Sequence, residues 1–187
     1  MARQWRSARR FGLLLAGLTG LWTAGAAAQG AAPFQDYSET FKDWKLYCQV
    51  WPATRRVECE LTARGANDRS ARLVWLRSTE RWLEGLRFRV EPGALDIDRP
   101  VRVWVDNGLF RPEFPCRRFA LETNTCAVQD PELNRRLVEK LSGGDQVSAV
   151  GQTPAGAKSE IRFSLKGFKA AVERSEQIRA SVGTPWM

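Results

Sequence analysis

Two stretches of strict two-residue alternation, each carrying one cysteine, constrain this chain more than any other feature. Residues 44–50 read Trp-Lys-Leu-Tyr-Cys-Gln-Val and residues 57–63 read Val-Glu-Cys-Glu-Leu-Thr-Ala. In extended backbone successive side chains point to opposite faces. Trp44, Leu46, Cys48 and Val50 therefore share one face, and Val57, Cys59, Leu61 and Ala63 share another. A hairpin turning at Pro52-Ala53-Thr54-Arg55 sets Cys48 opposite Cys59. The same register sets Leu46 opposite Leu61 and Val50 opposite Val57. Three matched pairs in one register predict a disulfide-bonded hairpin with one buried face.

Cys116 and Cys126 complete the set of four cysteines, which allows three pairings. Pairing close in sequence, Cys48–Cys59 with Cys116–Cys126, is the expectation. Closely spaced pairs such as C-x₂-C, the signature of zinc or thioredoxin-like chemistry, do not occur in the sequence. Structural disulfides are the better reading, and each short loop they close stabilises the fold by on the order of 3 kcal/mol.

Disulfides need an oxidising compartment, and residues 1–28 supply an export signal. Arg3, Arg6, Arg9 and Arg10 form a basic start, Phe11 to Ala24 is uncharged, and Ala26-Ala27-Ala28 is a small-residue cleavage site ahead of Gln29. The competing reading, a membrane anchor, needs about 20 strongly apolar residues. This stretch is shorter and rich in Gly and Ala. The formal charge of the chain is +8. Cleavage would take away four arginines and no acid, leaving a mildly basic domain of about +4. That balance suits an acidic surface as partner and does not argue for nucleic acid. No later apolar stretch is long enough to span a bilayer.

The 187 residues suit one domain. The expected division is a signal peptide over 1–28, a flexible leader over 29–40, a single β domain over 41–180 and a tail over 181–187. Within the domain, Leu73 to Leu76 is a short apolar run. Leu86, Phe88 and Val90 alternate with Arg87 and Arg89, and Val101, Val103 and Val105 alternate with Arg102 and Trp104. Asp106-Asn107-Gly108 follows as a turn. Phe119-Ala120-Leu121, Ala127-Val128 and the Ile161/Phe163/Leu165 alternation add further extended pieces. Asp130-Pro131 starts a helix through Leu133, Leu137 and Leu141, closed by Gly143-Gly144. A second helix is expected from Phe168 to Arg179. The predicted architecture is mostly β, an antiparallel β-sandwich with two short helices, stapled by two disulfides.

The segment Phe41-Lys42-Asp43-Trp44-Lys45-Leu46-Tyr47-Cys48, followed by Cys59-Glu60-Leu61, resembles the opening of the invasion-associated locus B family. Phe163-Ser164-Leu165-Lys166-Gly167-Phe168-Lys169-Ala170-Ala171 resembles that family's end. Cys116, Cys126 and a short helix fall between them in the expected order, so the resemblance covers roughly residues 41–174. It implies an exported bacterial envelope protein of mostly β structure with paired cysteines, in a family named for host-cell invasion. The arginine content and the bulky segment between Cys116 and Cys126 depart from the family's usual look. The resemblance carries over no catalytic residue, cofactor or metal site.

Residue chemistry points toward binding. Histidine is absent, which removes histidine-based triads and proton shuttles and leaves acid–base work to carboxylates, Lys or Tyr. Neither Ser142 nor Ser164 shows the glycine pattern of a nucleophile elbow. A carboxylate-dependent carbohydrate-active enzyme is the third reading, behind a binding module and a structural periplasmic protein. If the 86–90 and 101–105 strands are neighbours, Arg87, Arg89, Arg102 and Trp104 form an outward basic face for an anionic envelope polymer or a host-surface glycan or protein. The plainer reading of that face is a solvated β surface with Trp104 lying on an arginine stem. Asp96-Ile97-Asp98 reads as a turn before the 101–105 strand rather than a calcium site. Arg135, Arg136 and Lys140 read as the solvated face of the first helix. No cofactor is implied. The expected location is the periplasm, the outer membrane or the cell surface, and the sequence sets no oligomeric state.

Overall fold

A computed structural model describes residues 34–79, 84–117, 125–128 and 130–182. The expected signal peptide, most of the segment between Cys116 and Cys126, including Phe119-Ala120-Leu121, and residues 183–187 lie outside the described residues. Among the described residues eleven strands and two helices follow in order. They are β1 (Gln35–Phe41), β2 (Trp44–Trp51), β3 (Arg56–Arg64), β4 (Arg72–Ser78), β5 (Gly85–Arg89), β6 (Val101–Val105), β7 (Glu113–Phe114), β8 (Cys116–Arg117) and β9 (Thr125–Ala127), then α1 (Pro131–Ser142), β10 (Gln146–Gln152), β11 (Lys158–Ser164) and α2 (Phe168–Ser181). They form a seven-stranded antiparallel sheet in the order β1-β2-β3-β4-β5-β9-β8 and a four-stranded antiparallel sheet in the order β11-β10-β6-β7.

The hairpin register is the predicted one. Cys48 faces Cys59, Leu46 faces Leu61 and Val50 faces Val57. Disulfides join Cys48 to Cys59 and Cys116 to Cys126, the second across the β8–β9 pair. Cys48, Cys59, Leu46, Leu61 and Val57 are all fully buried. Across this inner face Phe88 of the large sheet meets Phe114 and Phe163 of the small one, at ring-centroid distances of 5.3 and 5.8 Å. Helix α2 packs over β1–β3, so the large sheet shares its inner face between the small sheet and a helix. Helix α1 begins as expected. The Asp130 carboxylate caps it by accepting the Leu133 amide (2.8 Å), with Pro131 in the first turn. Leu137 and Leu141 are buried and Arg135, Arg136 and Lys140 face solvent.

Two expectations about boundaries change. The leader expected over 29–40 is a strand from Gln35 onward, paired along its whole length with β2. Its inward positions Tyr37, Glu39 and Phe41 are only half-buried, so the hydrophobic alternation that betrays a strand is weak at this sheet edge. Strand β10 is a further addition, as are the two-residue strands β7 and β8. Strand β10 lies between β11 and β6 although its alternation is blurred by Ser148 and Gly151.

The two motifs that carry the family resemblance meet in space. The indole N–H of Trp44 donates to the Ser164 carbonyl (2.9 Å), and the Trp44 ring lies 4.7 Å from Phe168. The Asp43 amide donates to the Lys166 carbonyl at 3.3 Å. Gly167, which caps α2, has φ +95°, and a β-carbon there would sit 1.9 Å from the Phe41 carbonyl oxygen. Only glycine allows this conformation and this approach together. The motifs are therefore the lock between the β1–β2 turn and the β11–α2 junction.

Candidate functional site

The expected basic face is split between two sheets. Arg87 and Arg89 lie on β5, whose neighbours are β4 and β9; Arg102 and Trp104 lie on β6, whose neighbours are β10 and β7. Leu86 and Phe88 point toward the interior that Val101 and Val103 fill from the opposite sheet. The alternate residues thus point away from each other, on opposite outer surfaces of the sandwich. Alternation says which side of its own strand a residue occupies, not which sheet the strand joins. The crossing is made by residues 90–100, where the turn at Asp96-Ile97-Asp98 is seen: the Asp96 carboxylate accepts the Asp98 amide (3.1 Å) and pairs with Arg99 (3.2 Å).

On the small sheet both candidates have partners. Arg102 pairs with Glu113, its register neighbour, at 2.8 Å in an exposed contact. The Arg111 guanidinium carbon lies 4.9 Å from the centre of the half-buried Trp104 ring, a cation–π arrangement. The plainer reading of Trp104 describes what is seen, with Arg111 as the arginine.

The large sheet's outer surface holds more charge than the sequence pattern indicates. The antiparallel registers put Arg64 opposite Arg72 and Arg72 opposite Arg89, so three arginines stand side by side on adjacent strands. Like charges directly opposite one another destabilise a sheet. Glu60 relieves Arg89 at 3.6 Å and is itself held by the Thr62 hydroxyl (2.8 Å). Arg72 is turned toward the β3–β4 loop, where its Nη1 donates to the carbonyls of Arg69, Ser70 and Ala71. The loop is set by Asp68, whose carboxylate accepts the Ser70 hydroxyl and amide. These hydrogen bonds, the hydroxyl first, hold the Asp68 pKa below its ordinary value.

Beside this row lies an open groove of about 770 Å³. Lys42, Lys45, Arg64, Arg69 and Arg72 line it with Tyr47; its carboxylates are Asp43 and Glu60. Lys42 comes from the β1–β2 turn, Lys45 and Tyr47 from β2, and Arg69 from the β3–β4 loop. Among the described residues Lys42, Lys45, Arg64 and Arg69 have no ion-pair partner. Tyr47 is 39% exposed, and its hydroxyl donates to Asp36 at 2.8 Å. That bond to a carboxylate, reinforced by its charge, raises the phenol pKa above the ordinary range. The sequence reading missed this site because its residues come from two turns and three strands.

A second charged cluster is half-buried, with Arg179 its one fully enclosed member. Arg77 pairs with Glu84 and Glu176, each at 2.8 Å, and Arg179 on α2 lies 3.6 Å from Glu84 while only 4% exposed. Burial first, then the neighbouring Arg77, lowers the Arg179 pKa to about 10. The cluster joins α2 to β4 and belongs to the scaffold. Asn134 of α1 does similar work in neutral form: its side chain accepts the Leu86 amide (3.2 Å) and donates to the Val128 carbonyl (3.1 Å).

Among the described residues no helix is long and apolar enough to cross a membrane. No protein-family model matches the chain, and no curated protein matches it. Among solved structures, the chain is similar to invasion associated protein b from Bartonella henselae, with a TM-score of 0.57 and 17% sequence identity. The likeness covers 77% of this chain and 99% of that one. At this identity it establishes a shared fold.

Proposed function

We propose that this chain is an exported, non-catalytic envelope protein that acts by binding, in contact with the envelope or with a host cell. The observation that carries this reading is the pair of disulfides on a fold shared with a protein named for invasion. Cys48–Cys59 is fully buried, so its oxidation is part of core packing, and such bonds persist in exported proteins. The absence of histidine from the chain supports binding over acid–base catalysis. An acidic partner fits the basic outer surface of the large sheet.

Protease treatment of intact cells, beside osmotically opened cells, tests where the protein works. Digestion on intact cells is the result expected for a protein that meets external partners. Digestion only after opening would move the reading to a periplasmic protein that supports the envelope from within. Protection in both, with the chain in the cytoplasmic fraction, would overturn export.

A further inference from the structure

We propose that the groove on the outer face of the large sheet binds a linear glycan carrying carboxylate or sulfate groups along its length. The proposal deepens the binding reading above and rests on it. Five cations line the groove against two carboxylates, and Glu60 is already engaged by Arg89 and Thr62. Lys42, Lys45, Arg64 and Arg69 extend into solvent with no acidic partner among the described residues. Arg64 and Arg72 occupy opposite register positions on β3 and β4, so an anion lying across these strands meets a cation on each.

Geometry selects an extended ligand over a point anion. The cations span β2, β3 and β4 and the turns beside them, and neighbouring strands lie about 4.8 Å apart. A chain crossing the strands therefore meets a new positive charge at each, while a single phosphate would engage only one or two. Tyr47 supplies the sugar-selective element: an exposed aromatic face in the groove, steadied by its hydroxyl bond to Asp36. A single-stranded nucleic acid would call for several stacking aromatics. Tyr47 is the only exposed aromatic among the described groove residues, Trp44 being fully buried. The groove is shallow and open, which suits passage of a polymer rather than enclosure of a small molecule.

The test uses the chain purified with both disulfides formed and a heparin octasaccharide as probe. Affinity is measured by calorimetry across a salt series. The triple variant Lys45→Ala/Arg64→Ala/Arg69→Ala is compared with Arg99→Ala/Arg102→Ala/Lys158→Ala, which removes the same charge from the small sheet and the turn that precedes β6. The first should weaken binding by about tenfold or more and flatten the log–log salt dependence by up to roughly three charges. The second should change it by less than about threefold, as expected for exposed pairs. Equal losses in the two variants would reduce the effect to overall charge and overturn the site. Parent-like affinity in the first, or no binding by the parent, would also overturn it. A Tyr47→Ala variant should lose affinity for the oligosaccharide but not for inorganic polyphosphate; equal losses on both probes would reject the glycan in favour of a generic polyanion. Cell-surface digestion with no glycan binding would sink this site while leaving the envelope reading intact.

Discussion

Replacing Gly167 by alanine should separate the two ends of the domain, and the size of the effect follows from the geometry. At φ +95° an L-residue costs about 1–2 kcal/mol more than glycine. The added β-carbon would also lie 1.9 Å from the Phe41 carbonyl oxygen and 2.7 Å from its carbon, where ordinary contact begins near 3.4 Å. Backbone atoms cannot rotate away, so the end of β1 must retreat. Retreat loosens the Asp43–Lys166 and Trp44–Ser164 hydrogen bonds, each contributing about 1 kcal/mol. The total is about 3–4 kcal/mol, or roughly 6–16 °C in Tm for a domain of this size. Gly156→Ala is the internal control: φ is +83° there, but nothing lies within 4 Å of the added carbon. It carries the backbone component alone. Thermal unfolding followed by circular dichroism on oxidised protein reads both. Equal shifts for Gly167→Ala and Gly156→Ala would refute the steric lock.

Two further predictions concern cross-links and acid. Peptide mapping without reductant should recover Cys48 linked to Cys59 and Cys116 to Cys126, and the Cys48→Ala/Cys59→Ala variant should lose about 2–5 kcal/mol in urea unfolding. Asp68, with its folded pKa below the unfolded value, contributes stability that is present above the unfolded value of 3.8 and lost as pH falls through the folded one. Asp68→Asn should therefore show a shallower loss of stability between about pH 5 and pH 2 than the parent chain, measured by urea titration at each pH.

How much of this was readable beforehand depended on whether the signal was local. The β2–β3 register was legible because period-two alternation and two cysteines had to agree, and one alignment satisfied both. Helix α1 was legible because Asp130, Pro131 and Gly143 mark its ends with distinct chemistry. Sheet membership was not. Arg87/Arg89 and Arg102/Trp104 follow the same inside–outside rule, and nothing in either pattern records that residues 90–100 carry the chain across the core. Strand β1 escaped notice because an edge strand with half-buried positions looks like a polar leader. The basic groove was hidden for a related reason: Lys42 and Arg69 sit in turns, where alternation has no meaning. The Arg77/Glu84/Glu176/Arg179 cluster gathers residues that lie up to about one hundred positions apart, each an ordinary charge in the chain.

Both cross-links lie within the same sheet, and each joins cysteines that face one another on adjacent strands. Under the export proposed above, oxidation can follow the direction in which the polypeptide emerges from its channel. Cys48 and Cys59 become neighbours as soon as one hairpin has cleared it, long before β10, β11 and α2 arrive to close the interior. A correct first bond then leaves Cys116 and Cys126 only each other. The four-stranded sheet carries neither cross-link and is joined to the large one by packing and by hydrogen bonds such as that from the Ala66 amide to the Arg162 carbonyl.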